Sequence, residues 1–98
     1  MTDRDRDFGA ALEHIKSGGR AARAGWNGKG MWIAYGEGRI IPASGFWNAH
    51  TRAFATSQPN QHAEVLPYIV FKTADNKILM GWLASQTDIL ADDWQLFD

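Results

Sequence analysis

The sequence contains no cysteine, no surplus of basic residues and no long apolar run. Without cysteine, the chain has no disulfide, no thiolate metal site and no thiol nucleophile. A net charge of −1 argues against binding of DNA or RNA, because such binding draws on an excess of cations that neutralise phosphates. No stretch approaches the roughly 18 apolar residues of a membrane span, and the charged N-terminus lacks the apolar core of a signal peptide.

The composition that remains is that of one small globular domain. The 98 residues are 45% hydrophobic and 21% charged, which fits a single domain over residues 1–98. Because the sequence has no cysteine and shows neither a signal peptide nor a membrane span, we expect this domain to be cytoplasmic. A chain this short buries only roughly 60–65% of the surface that its unfolded form exposes. Self-association would therefore be a natural way to bury more apolar area.

The order of helix and strand signals predicts an α+β fold. Asp7 is a good N-cap for a helix over residues 7–17, whose apolar positions form one stripe and which Gly18-Gly19 would end. The remaining predicted strands cover residues 20–23, 31–35, 39–41, 65–73, 77–82 and 94–97. We expect one N-terminal helix packed on a small, mainly antiparallel sheet, with a short helical turn near the C-terminus.

Two connections carry more specific expectations. Gly36-Glu37-Gly38 predicts a hairpin between strands 31–35 and 39–41. The strand at 65–73 is apolar on both faces, as a central strand is. Residues 42–61 combine polar residues and proline with three aromatics, and we interpret them as a long loop partly ordered by Phe46, Trp47 and Phe54.

The first unusual motif is Arg23-Ala24-Gly25-Trp26-Asn27-Gly28-Lys29-Gly30-Met31. It is typical of a binding loop, in which an indole face, an amide and backbone N–H groups meet a ligand. It is equally typical of a tight turn pinned to the core by a buried Trp26. A phosphate-binding P-loop is excluded, because Met31 follows Gly30 where that motif requires lysine.

The second motif, Gly81-Trp82-Leu83-Ala84-Ser85-Gln86-Thr87-Asp88, places polar side chains at a helix start. Ser85 and Asp88 have capping-box spacing. The start of a helix also favours anions, so Gln86 and Thr87 are candidate ligand contacts rather than caps. The following Asp92-Asp93 is expected to pair with a cation such as Arg20 or Arg23.

Catalytic and metal-binding patterns are weak. His14, His50 and His62 are scattered without metal-ligand spacing, and no local nucleophile–base pair stands out. We therefore predict no catalytic residues, no metal and no cofactor. Two aromatic faces flanked by amides and carboxylates instead favour a binder of nucleotide-like ligands, for which base stacking contributes about 1–3 kcal/mol per contact.

These motifs, together with Phe8-Gly9-x2-Leu12, Lys72-Thr73-Ala74-Asp75 and the continuation to Asp93-Trp94, resemble the type 2 Thoeris anti-defence family of phages. The resemblance covers nearly the whole chain apart from the first residues and residues 42–61. It implies a non-catalytic sponge that sequesters the cyclic ADP-ribose signal, a glyco-cyclic isomer, made by bacterial TIR-domain proteins.

The same resemblance implies an assembly and a set of contacts. The expected form is a homotetramer in the bacterial host cytoplasm, with ligand pockets between subunits and cyclic dinucleotides as a further ligand class. An enzyme that degrades the signal and a purely structural oligomerisation module are the alternatives. The residues implied to bind the ligand are Phe8, Arg23, Trp26, Asn27, Trp82, Ser85, Gln86, Thr87 and Asp88.

Overall fold

The computed structural model describes residues 6–26 and 29–98. In chain order the elements are α1 (Phe8–Lys16), β1 (Arg20–Arg23), β2 (Trp32–Gly36), β3 (Arg39–Pro42), α2 (Ala49–Ser57), β4 (His62–Val65), β5 (Tyr68–Lys72), β6 (Ile78–Met80), α3 (Gln86–Ile89) and β7 (Trp94–Phe97). Short 3₁₀ turns precede and follow α2, at Ala43–Gly45 and Pro59–Gln61. The predicted α+β class is confirmed.

The chain folds as two compact units, residues 1–36 with 68–98 and residues 37–67. The first unit contains a five-stranded sheet in the order β6-β5-β2-β1-β7, with every neighbouring pair antiparallel. The second contains α2 and a two-stranded antiparallel sheet of β3 and β4. No helix among the described residues has both the length and the apolar character needed to cross a bilayer.

Helix α1 forms where the sequence predicts it. The side chain of Asp7 accepts a hydrogen bond from the N–H of Ala10 at 2.8 Å, so the predicted N-cap is confirmed. After Ser17 the chain takes a positive φ of 105° at Gly18, which a residue with a Cβ adopts only with strain. The helix therefore ends there and the chain turns into β1.

The core of the first unit lies between α1 and the sheet. Ala11 and Ile15 of α1 meet Ala21, Ile33 and Trp94 of strands β1, β2 and β7, and all five are essentially inaccessible to solvent. Because side chains alternate along a strand, the neighbours of these three strand residues point to the sheet face opposite α1. That alternation creates a second surface on the same three strands.

The predicted hairpin of residues 31–35 and 39–41 is wrong, although both strands exist. β2 pairs with β1 and β5, with Ala34 opposite Val70, while β3 pairs with β4. Apolar patterning identifies a strand but does not specify which strand pairs with it. Here β2 pairs with β5 at five residue positions. β5 is an inner strand of the sheet, as its two apolar faces predict.

The predicted loop at residues 42–61 is also wrong, because it contains α2. The side chain of Asn48 caps this helix by accepting from the N–H groups of His50 and Thr51. Only Ala55 is buried in α2, so the helix has a narrow apolar stripe that is easily overlooked in the sequence. Phe54 and Trp47 remain exposed.

Candidate functional site

The two tryptophan motifs meet in an aromatic cluster. The Trp26 ring makes edge-to-face contacts with Phe71, Trp82 and Trp94, with centroid distances of 5.5, 6.1 and 5.3 Å. Trp82 stacks on Phe71 at 5.6 Å with an interplanar angle of 11°. Edge-to-face rings at 6.1 Å are in direct contact, so no base fits between Trp26 and Trp82.

Asp88 joins the cluster to the start of α3. Its Oδ1 accepts from Nη1 of Arg23 at 2.9 Å and from Nε1 of Trp26 at 3.1 Å. Its Oδ2 accepts from the hydroxyl of Ser85 at 2.9 Å, and that hydroxyl in turn accepts from the N–H of Asp88 at 3.1 Å. The main-chain oxygen of Asp88 accepts from Nε1 of Trp94 at 3.0 Å. One carboxylate thus orients an arginine, an indole and a helix cap.

Arg23 is held from its other side by Asp93, which confirms the predicted pairing. Nε of Arg23 donates to Oδ1 of Asp93 at 2.8 Å. Oδ2 of Asp93 accepts from the N–H of Gly25 at 2.8 Å, and a Cβ at this position would lie 2.8 Å from the same oxygen. Glycine at position 25 therefore permits the backbone to approach the carboxylate closely.

The charges of this network stabilise one another. Burial raises the pKa of Asp88, but hydrogen bonds from Arg23, Trp26 and Ser85 outweigh it and the pKa lies below its ordinary value. The hydrogen bond from Arg23 is the main cause that lowers the pKa of Asp93. The hydrogen bonds that Arg23 donates to Asp93 and, next in size, to Asp88 raise the pKa of Arg23. All three groups are therefore charged at neutral pH.

A cleft of about 510 Å³ opens beside this network. Its lining combines three cations with three aromatic rings, which are Arg20, Arg23, Lys29, Trp26, Trp32 and Phe97. The amide of Gln95 also lines it. No carboxylate is among the described lining residues, so the cleft is a cationic and aromatic surface on a chain with a net charge of −1.

One wall of the cleft is the sheet face opposite α1. Arg20 pairs with Phe97 and Ala22 pairs with Gln95 across strands β1 and β7. Trp32 of β2 precedes Ile33, which faces the core opposite Ala21. Strand alternation therefore brings these side chains to one face.

Arg20 and Gly30 are each held in place at the cleft. The guanidinium of Arg20 lies 5.5 Å from the ring centroid of Trp32 and 5.8 Å from that of Phe97. Its Nε donates to the main-chain oxygen of Asp98 at 2.9 Å. The ammonium of Lys72 donates to the main-chain oxygen of Gly30 at 2.9 Å, which anchors the end of the first tryptophan motif to β5.

Comparison with known proteins identifies the family. The profile of the Thoeris anti-defense 2-like domain, Tad2-like, matches residues 6–97. A protein named Thoeris anti-defense 2 from Bacillus phage SP01 is 39% identical over 89 residues, which are 91% of this chain and 91% of that protein. This chain belongs to the Thoeris anti-defense 2-like family. The resemblance found in the sequence motifs is thereby confirmed.

Of the described residues that the Thoeris anti-defense 2-like resemblance implied, only Arg23 and Trp26 line the cleft. Trp82 and Phe8 pack in the aromatic core, Phe8 at 5.3 Å from the Trp94 ring. Ser85 and Asp88 are engaged in capping and in the Arg23 network. Gln86 and Thr87 are exposed on α3 and do not line this cleft. Asn27 lies outside the described residues.

Sequence reasoning missed the cleft residues that come from strands, namely Arg20, Trp32, Gln95 and Phe97. The sequence did contain a partial signal. Arg20 and Ala22 are two positions apart on β1, and Gln95 and Phe97 are two positions apart on β7, so the members of each pair share one face of their strand. Only the pairing of β1 with β7 brings the two sets together, and this pairing joins segments about seventy residues apart. In the described part of the chain, no cluster of three or more acidic or histidine side chains is arranged to hold a metal ion.

Proposed function

We propose that this protein acts in an infected bacterium by binding a cyclic nucleotide immune signal and sequestering it without degrading it. The signal would be a cyclic ADP-ribose isomer such as glyco-cyclic ADP-ribose, with cyclic dinucleotides as a second ligand class. Membership of the Thoeris anti-defense 2-like family supports the biological setting. The observation that carries the chemical proposal is the cleft that joins three cations to three aromatic rings.

The size and lining of the cleft suit a nucleotide. A volume of about 510 Å³ lies within the range of roughly 300–1,000 Å³ that is usual for small-molecule sites. The guanidinium and ammonium groups match phosphate oxygens, and an aromatic face stacks on a base with a gain of about 1–3 kcal/mol. The Gln95 amide offers both a donor and an acceptor to the polar edge of a ligand.

The same lining supports binding over turnover. The described polar side chains around the cleft are guanidinium, ammonium and amide groups. At neutral pH these groups donate hydrogen bonds to anions but are poor proton acceptors. A sponge needs recognition alone, and the cleft supplies the groups for it.

Self-association is part of the proposal, as a homotetramer. β6 is an edge strand of the five-stranded sheet, and its side chains Ile78, Leu79 and Met80 are 58%, 48% and 56% exposed. An exposed apolar edge strand favours pairing with another chain. Native mass spectrometry would report four subunits if the proposal is correct and a monomer at all concentrations if it is not.

The decisive experiment separates a sponge from an enzyme. Purified protein is mixed with glyco-cyclic ADP-ribose at a stoichiometric excess of binding sites, filtered, heat-denatured, and the released ligand is identified by mass spectrometry. We expect depletion from the filtrate and recovery of intact ligand after heating. A converted product, or consumption of ligand by substoichiometric protein, would establish degradation instead.

A matched pair of variants ties the result to the cleft. Trp32→Ala removes an aromatic face from the lining, while Lys16→Met removes a cation from α1, on the opposite face of the sheet. At a protein concentration near the Kd, we expect the first variant to deplete clearly less ligand than the unsubstituted protein and the second to deplete as much. Undiminished depletion by the Trp32 variant would place the binding site elsewhere. A chain that never depletes the ligand but forms stable oligomers would be a structural module.

A further inference from the structure

The two arginines of β1 line the same cleft but have different partners. Arg23 is bound by Asp88 at 2.9 Å and by Asp93 at 2.8 Å, and only 16% of its side chain is exposed. Two carboxylates offset its single charge, and three of its nitrogens already donate to them. An incoming phosphate would have to compete with two anions that are already in place.

Arg20 has a different environment. Its guanidinium lies over the rings of Trp32 and Phe97, and Nε is committed to the main-chain oxygen of Asp98. Among the described residues, no carboxylate side chain lies within ion-pair distance of Arg20, and none of these residues accepts a hydrogen bond from its terminal nitrogens. Aromatic rings that pack against a guanidinium restrict the rotamers of the arginine side chain but do not neutralise its charge.

The position of Arg20 fits a phosphate contact. It lies at the start of β1, where the strand face opposite α1 forms the cleft wall, and Lys29 lines the same cleft. A guanidinium whose Nε is already bonded still presents its two terminal nitrogens, and these match two oxygens of one phosphate. Because its orientation is set by rings and by Asp98, little rotamer freedom remains to be lost on binding.

We propose that Arg20 is the anion-binding residue of the cleft and takes a phosphate group of a nucleotide-type ligand, while Arg23 is a positioning residue for the first tryptophan motif. This assignment rests on the proposed function for the identity of the natural ligand. Its chemistry, recognition of phosphate by a ring-supported guanidinium, applies to any nucleotide that enters the cleft.

The test uses ADP and adenosine as probes, with binding measured by isothermal titration calorimetry on the intact chain. We expect ADP to bind at least about 10-fold more tightly than adenosine, since hydrogen bonds between charged partners contribute that much or more. Arg20→Met should abolish the difference between the two probes. Arg20→Lys should keep part of it, because the charge remains while the two-pronged geometry is lost.

Controls separate binding from folding. Lys16→Met removes a cation outside the cleft and should leave the ADP preference unchanged. Circular dichroism and the thermal midpoint of the Arg20 variants should match those of the unsubstituted protein. If Arg20→Met perturbs the fold, the proposal is tested instead by the reduced ADP preference of Arg20→Lys and by the salt dependence of ADP binding. Equal binding of ADP and adenosine, or an unchanged ADP preference in both Arg20 variants, would overturn the assignment.

The outcome is distinguishable from failure of the proposed function. If glyco-cyclic ADP-ribose is not depleted but ADP binding depends on Arg20, the sponge proposal fails for that signal and the assignment of Arg20 holds. If the signal is depleted equally well by the Arg20→Met variant, the sponge proposal holds and the assignment of Arg20 fails.

Discussion

The indole Nε1 of Trp26 donates a hydrogen bond of 3.1 Å to Oδ1 of Asp88, 62 positions further along the chain. This bond connects the two tryptophan motifs inside one subunit. The same carboxylate oxygen accepts from Arg23, so the loop of the first motif and the helix of the second share one polar anchor. Four predictions depend on this arrangement and on the elements that support it.

Asp88→Asn should destabilise the fold by about 1–3 kcal/mol, since it removes a charged partner from a network that is mostly shielded from water. The side chains of Arg23 and Asp88 are only 16% and 13% exposed. Urea unfolding followed by tryptophan fluorescence measures the change. Asp75→Asn is the control, because its pair with Lys77 is exposed on both sides and should contribute little. Equal midpoints for the two variants would refute the central role of Asp88.

Stability should fall in acid through Asp88 and Asp93. Both carboxyl groups have a folded-state pKa below the ordinary value, so the unfolded chain binds protons at a higher pH than the folded one. Their stabilisation is complete above an unfolded pKa of about 4 and is lost as the pH falls through the lower folded values. Urea midpoints at pH 6 and pH 3 measure the loss. The double variant Asp88→Asn with Asp93→Asn should show a flatter profile below pH 4.

Two glycine substitutions at the ends of α1 should have different effects. Gly18→Ala forces a Cβ onto a φ of 105° and should cost about 1–2 kcal/mol. Gly9→Ala lies inside the helix, where its Cβ would make an ordinary 3.4 Å contact with Asp7, and it should be neutral or slightly stabilising. Thermal unfolding by circular dichroism compares them. A loss at Gly9 as large as that at Gly18 would contradict this reading of the helix ends.

The two tryptophans of the cleft should separate stability from binding. Trp26→Ala removes a ring that contacts three others and should cost about 2–4 kcal/mol. Trp32→Ala removes a ring outside the buried core cluster and should cost less, while weakening nucleotide binding by about 5- to 150-fold, the equivalent of one base stack. Paired unfolding and calorimetric titrations test both. Full binding by a folded Trp32 variant would remove that ring from the ligand site.

Local features were predictable from the sequence. The cap at Asp7, the strand at residues 20–23, the Ser85 cap with its short helix and the last strand at 94–97 all appear where predicted. Each depends on a few neighbouring residues whose side chains bond to nearby backbone or alternate across a strand. The family could also be identified from the sequence, because its motifs are contiguous runs of residues.

The candidate site was only partly predictable from the sequence, because its residues come from segments that are far apart in the chain. Arg20, Trp32 and Phe97 belong to three strands that the sequence leaves unpaired, and their shared face exists only once β7 joins β1 and β1 joins β2. The family resemblance implied a ligand contact for Asp88, whereas its hydrogen bond from Trp26 spans 62 positions and follows from no local pattern. The helix α2 was overlooked because its buried stripe is reduced to Ala55.

The sequence by itself determined the fold class, the helix caps at Asp7 and Ser85 and the short strands at residues 20–23 and 94–97, since short-range bonds and apolar periodicity control these. Tertiary structure alone decided that both tryptophan motifs are anchored on Asp88 and that β2 pairs with β5 rather than with β3, its predicted partner. It also decided that the cations and rings of the cleft meet on one sheet face. Such contacts follow from the burial of one sheet face against α1, which selects strand order and register in a way that no local pattern specifies.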